Sequence, residues 1–247
     1  HVKGELGRLR LREAGHPVPD ENSFKATEEA VGTVSGLGPR DSVLLLISGG
    51  GSALFEQPLI PAIELQSITD QLLRSGADIV EMNTIRKRLS AVKGGRFAKL
   101  CEPATVYSVV LSDIIGDPLD MIASGPAYPD SSSCADALHI AGKYQLVLSR
   151  EAEQYLMVET PKELSNVHSL VTGSVKGLCA AAAPPPPKLG NEPHILTTNI
   201  SSQTRQAVLA YRKAGEARMT IGVWNLASGI IQQAASIPYN PRAKFGL

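Results

Sequence analysis

The segment Ser48-Gly49-Gly50-Gly51-Ser52 sets three glycines between two hydroxyl residues, directly after the apolar run Val43 to Ile47. Glycine has no Cβ, so a ligand's oxygens can reach its backbone N–H groups, and it adopts backbone angles closed to other residues. If a helix starts near Ser52, its open amides and positive dipole end add to the attraction for a carboxylate or a phosphate. The spacing fits neither the Walker A loop nor the dinucleotide fingerprint, and glycine triplets also serve as ordinary flexible turns. Ser48, Gly49, Gly50, Gly51 and Ser52 are therefore candidate anion-binding residues without a named ligand.

Charged and amide side chains follow within eighty residues. Arg86 offers a planar fork that matches two oxygens of a carboxylate or phosphate, and Lys93, beside Gly94 and Gly95, offers a point charge. Both are candidate catalytic cations; the competing reading is a solvated helix face, which is the reading preferred for Lys87 and Arg88. Asn83 precedes Arg86 by three residues, so a helix projects both to one side, where the amide could orient a hydroxyl. Capping a helix or turn is its rival role. Asp113 follows the apolar run Thr105 to Leu111 and could accept a proton from an attacking hydroxyl or ligate a metal through oxygen. Asp117 is assigned to the turn. Ser124 and Gly125, before Pro126, read as a tight turn that could close a pocket wall. His16, between Gly15 and Pro17, is read as a structural histidine bonded to backbone, with lining the site as the alternative.

These residues need a scaffold, and the chain alternates as α/β folds do. Val43 to Ile47 reads as a strand buried on both faces, and Thr105 to Leu111, β-branched and apolar, as a second buried strand. Helical spacing predicts helices over Asn22–Leu37, Ile63–Arg74 and Ile79–Leu89, with a further turn and helix opening at Lys93. Both strands end in small polar residues, and ligands of open parallel sheets bind outside the carboxyl ends of strands.

Composition narrows the partners. The 247 residues carry a formal net charge of zero and 4% aromatic residues, which supplies neither a field nor stacking platforms for nucleic acid. Cys101, Cys134 and Cys179 are odd in number and form no CxxC pair, which argues against a disulfide framework or a cysteine zinc site. No apolar run approaches the roughly twenty residues of a membrane span. The chain starts at His1, so its N-terminus says nothing about a leader peptide.

Gly15-His16-Pro17-Val18-Pro19-Asp20, Ile47-Ser48-Gly49-Gly50-Gly51-Ser52-Ala53, Asn83-Thr84-Ile85-Arg86-Lys87, Leu89-Ser90-Ala91-Val92-Lys93-Gly94-Gly95-Arg96, Leu111-Ser112-Asp113-Ile114-Ile115-Gly116-Asp117 and Ile122-Ala123-Ser124-Gly125-Pro126 occur in the order seen in the class II glycerate kinases, the family whose C-terminal part is called MOFRL. The chain resembles that family from about residue 13 to about residue 210, more weakly after 150. The resemblance implies ATP-dependent phosphorylation of D-glycerate to 2-phosphoglycerate with a divalent metal, usually Mg2+. It also implies a cytoplasmic setting, with a mitochondrial one open, and a homodimer as one assembly to consider.

Two family segments do not occur in these 247 residues: a Gly-Lys-Ala segment whose lysine serves catalysis and a Gly-Gly-Arg-Asn-Gln segment whose arginine belongs to the active site. The expected fold is α/β, a mostly parallel, Rossmann-like sheet with helices on both faces, incomplete relative to the two-domain family fold. Residues 1–178 would form the central part of the family's N-terminal domain and 179–190, rich in Ala and Pro, a linker. Residues 191–215 would form a further α/β element of the same domain and 216–247 a divergent tail. The alternative to a kinase is a non-catalytic module that binds glycerate or nucleotide.

Overall fold

A computed structural model describes residues 10–112 and 119–172, with the backbone of strands at 191–194, 206–213, 218–225 and 231–238. They belong to two units, residues 1–111 with 118–171, and residues 112–117 with 172–247.

The first unit opens with α1, Glu21–Val34. The Asp20 carboxylate accepts the Ser23 amide at 2.9 Å while Ser23 Oγ accepts the Asp20 amide at 3.2 Å, a reciprocal cap that satisfies two open donors. The helix stops three residues short of the expected Leu37, ahead of Gly36 at φ 81°, the left-handed position that ends many helices. There follow β1 (Ser42–Ile47), α2 (Gly51–Leu54), α3 (Ala62–Arg74), α4 (Ile79–Arg88), α5 (Arg96–Leu100) and β2 (Thr105–Leu111). After a 3-10 turn at Ile122–Ser124 come α6 (Cys134–Lys143), α7 (Arg150–Leu156) and β3 (Val167–Thr172).

The sheet runs β1-β2-β3. β1 lies parallel to β2, with Ser42 opposite Thr105 and Ile47 opposite Val110. The Val106 amide donates to Asn166 O at 2.7 Å and the Ser112 amide to Thr172 O at 3.3 Å, so β3 advances in the same direction. The fold is α/β with a parallel sheet, as expected. Val43, Leu45 and Val106 pack under Val34 of α1 and Phe97 and Ala98 of α5. Leu44 and Leu46 on the opposite face are 65% and 68% exposed. β1, expected to be buried on both faces, is covered on one among the described residues, because α1 and α5 both pack on that side. A second core joins Leu65, Ile68 and Leu72 of α3 to Ile85 of α4, Ile140 of α6 and Leu156 of α7.

α4 decides the site. It packs against α3, α6, α7 and the Ile122–Ser124 turn, so Met82, Asn83, Thr84, Ile85, Lys87 and Arg88 are all buried.

In the second unit, β4 (Asn191–His194), β5 (Gln206–Lys213), β6 (Arg218–Asn225) and β7 (Ile231–Pro238) form an antiparallel sheet in that order. The residue pattern predicts a further α/β element and a tail over this stretch; the linker it predicts at 179–190 lies outside the described residues.

Candidate functional site

The strand β1 ends at Ile47 and the chain turns through the three glycines into α2. Gly50 takes φ 85°, a backbone angle that residues with a side chain rarely adopt. Gly51 is required for a different reason: a Cβ there would stand 2.7 Å from the Ala123 Cβ. The amides of Gly51 and Ser52 open the first turn of α2, where no intrahelical carbonyl precedes them. α2 is four residues long, so its dipole contributes little and the donors themselves make the cradle. The imidazole of His16 lies against Gly50, its Cδ2 and Nε2 3.2 and 3.4 Å from where a Cβ would be. His16 is exposed and no hydrogen bond holds it among the described residues. The backbone-bonded histidine expected from the sequence is thus replaced by one that borders the glycine turn.

The opposite wall is the turn Ala123, Ser124 and Gly125, with φ 51°, 61° and 63° in succession. Two of these are not glycine, and left-handed residues of that kind persist only where the surroundings enforce them. Here Gly94 N–H donates to Ser124 O at 3.0 Å and Gly95 N–H to Gly125 O at 2.7 Å. The buried Ser124 hydroxyl then donates to Asn83 Oδ1 at 2.9 Å and lies 3.2 Å from Ser52 Oγ. The Asn83 amide reaches Met121 Sδ at 3.6 Å; Asp78, not Asn83, caps α4.

The two candidate cations converge on one backbone oxygen. Arg86 Nη2 donates to Ser52 O at 3.2 Å, and Lys93 Nζ donates to Ser52 O at 2.8 Å and Phe55 O at 3.0 Å. Lys93 is fully enclosed, and burial pushes the pKa of its ammonium down to about 8, against the pull of the Glu56 carboxylate 3.4 Å away. Arg86 is only partly buried, and its Nε is buried without a partner among the described residues. Lys93 supports the cradle from within, while Arg86 keeps donor capacity.

Lys87 and Arg88, read from the sequence as a solvated face, are fully buried. Lys87 Nζ lies 3.0 Å from Asp130 Oδ1 and 3.2 Å from Asp120 Oδ2. Arg88 donates to Ser132 Oγ and Ser132 O, both at 2.9 Å. Burial raises the Asp130 carboxyl, but the Thr160 hydroxyl and Lys87 outweigh it and hold the group below the ordinary carboxylate range. The segment 119–132 folds its acids over α4, a non-local pairing that the local pattern Arg86-Lys87-Arg88 does not disclose.

Sequence reasoning also missed Glu56, which is completely buried. The available signal was a single acid closing the apolar run Ala53-Leu54-Phe55. Asp113, the candidate base and metal ligand, lies outside the described residues with Asp117. No three His, Cys, Asp or Glu side chains gather as a metal site among the described residues. The wall's own donors are amides, hydroxyls and cations, a set that suits an anion and does not fit a divalent metal. What they can do is hold a carboxylate or phosphate beside the Ser124 hydroxyl, which Asn83 fixes.

The sequence pattern of a domain of unknown function, DUF4147, matches residues 1–157. The chain is 47% identical over 209 residues to a D-glycerate 2-kinase of Thermotoga maritima, covering 84% of this chain and 50% of that protein. It is 38% identical over 217 residues to a glycerate 2-kinase of Pyrococcus horikoshii, covering 83% and 49%. The crystal structure of a glycerate kinase from Thermotoga maritima superposes with a TM-score of 0.72 at 50% identity, over 74% of this chain and 45% of that one. The chain thus spans about half the length of these relatives.

Proposed function

We propose for this chain, which belongs to the DUF4147 family, the activity of a glycerate kinase: transfer of a phosphoryl group from ATP to the 2-hydroxyl of D-glycerate. The observation that carries the reading is the convergence of Ser52, Ser124, Asn83 and Arg86 on one glycine turn, within the segment that matches the family. The likeness to two proteins named glycerate 2-kinases supplies the substrate.

Phosphoryl transfer asks the protein chiefly for placement and for neutralisation of charge. In this reading the glycerate carboxylate meets the cradle amides and the Arg86 guanidinium, which matches two oxygens at once. Ser124, locked by Asn83 and Ser52, fixes the wall against which the substrate hydroxyls are aligned. Lys93 holds the Ser52 carbonyl and so steadies the turn that carries the cradle amides. A divalent metal would neutralise the ATP phosphates; the donors of this wall do not fit one, and no role here depends on it. No described helix is long and apolar enough to cross a membrane, and a cytoplasmic setting belongs to the proposal.

The test follows the product. The full chain is incubated with ATP, magnesium and D-glycerate and followed by phosphorus NMR. Growth of a 2-phosphoglycerate resonance with matching loss of ATP is expected. Glycerate binding without any phosphomonoester would replace the kinase reading by that of a glycerate-binding domain.

A further inference from the structure

We propose that Glu56 is a positioning residue of this site: by keeping Lys93 charged it fixes the Ser52 carbonyl, and with it the glycine turn. The inference rests on the reading of that turn as the substrate wall.

Glu56 follows Phe55, the residue that ends α2. Its backbone is pinned from α1, because the Glu56 amide donates to Thr27 Oγ1 at 3.0 Å and the Thr27 hydroxyl donates to Ser23 O at 2.8 Å. The side chain is fully buried, and neither carboxylate oxygen has a hydrogen bond among the described residues. A carboxylate placed like this is costly, and an apolar residue of similar size would pack there at lower cost. Its charge partner among the described residues is Lys93 Nζ at 3.4 Å.

Lys93 explains what the acid does. Burial is the largest influence on its ammonium and drives it toward the neutral amine, and Arg86, reaching in from α4, drives it the same way; Glu56 opposes both. A neutral amine is a weaker donor than an ammonium, so without Glu56 the bonds to Ser52 O and Phe55 O lose their charge assistance. Those two carbonyls sit within and just after the only turn of α2, the helix that the glycines enter. Glu56 thus faces the charge on which these two bonds depend.

The experiment reads Lys93 directly in the full chain, with lysines labelled at Cε and the Lys93 resonance assigned by its loss in Lys93→Met. In Glu56→Gln the Lys93 titration midpoint is expected to fall by about one pH unit or more. The amides of Ala53, Leu54 and Phe55, which are bonded to Gly50 O and Gly51 O, are expected to exchange at least about tenfold faster at neutral pH. An unchanged midpoint, or unchanged exchange, overturns the proposal. If Glu56→Gln does not fold, the double variant Glu56→Leu with Lys93→Met removes both charges together. It is expected to fold with fast, pH-independent opening of the same amides, and wild-type protection in it would also overturn the proposal. None of these readouts needs glycerate, so a wild-type chain that fails to bind glycerate contradicts the proposed function while the Lys93 titration still decides the role of Glu56.

Discussion

The hydroxyl of Ser124 donates to Asn83 Oδ1 at 2.9 Å, tying a left-handed turn to a helix 41 residues earlier in the chain. The bond is buried, and the same hydroxyl lies 3.2 Å from Ser52 Oγ, so the glycine turn, the strained turn and α4 share one polar link. Ser124→Ala leaves the Asn83 oxygen without its donor. A stability loss of about 1–3 kcal/mol is expected, measured by urea unfolding, together with weaker glycerate binding by calorimetry. Wild-type stability in this variant would mean that the link is incidental.

Gly125 is constrained twice. Its φ is 63°, and a Cβ would stand 2.9 Å from Asp120 O and 3.0 Å from Asp120 Cα, both backbone atoms that cannot swing away. Gly125→Ala is expected to cost about 2 kcal/mol or more and to lower the thermal midpoint. Gly142, with nothing within 4 Å of a Cβ among the described residues, serves as the contrasting site, where Ala is expected to be tolerated.

The Lys87 ammonium between Asp120 and Asp130 makes a prediction about buried charge. Lys87→Met leaves two acids facing each other, and breaking such a pair from one side costs about 3–5 kcal/mol. The exposed pair of Lys99 and Glu102, 2.9 Å apart, is expected to lose no more than about 1 kcal/mol in Lys99→Ala. Equal effects in the two variants would contradict the enclosed network described for α4.

Lys93 also sets a pH dependence of opposite sign for stability and for cradle shape. Its folded value is lowered from 10.5 to about 8, so between those values the unfolded chain binds the extra proton. Stability therefore gains from this group as pH rises from about 8 to 10.5, and the gain is absent at neutral pH, where both states are charged. Urea midpoints measured across that window should show an upward contribution that Lys93→Met abolishes, while glycerate affinity falls over the same range. An identical pH profile for the variant would show that Lys93 is not the group responsible.

Much of this architecture is legible locally. The apolar runs that form β1 and β2, the helical spacing of α3 and α4 and the glycine turn all depend on neighbours in sequence, and they lie close to where residue patterns put them. What escapes the sequence depends on chain that returns from far away. Lys87 and Arg88 look solvated until the acids of 119–132 close over them, and Leu44 and Leu46 look buried until both neighbouring helices choose the other face of the sheet. His16 and Glu56 gain meaning only from the partners the fold gives them, Gly50 and Lys93. Nothing in their own spacing announces either pairing.

If the wall of Ser52, Ser124 and Arg86 holds glycerate, calorimetric titration of D-glycerate into the full chain and into Arg86→Ala must register it. Saturable one-site binding by the wild type is expected, weakened about tenfold or more in Arg86→Ala, the loss that follows when a charge-assisted bond worth roughly 1.5–3 kcal/mol is removed. Absence of binding to the wild type, or equal affinity in the two proteins, would contradict the assignment of this wall to the substrate.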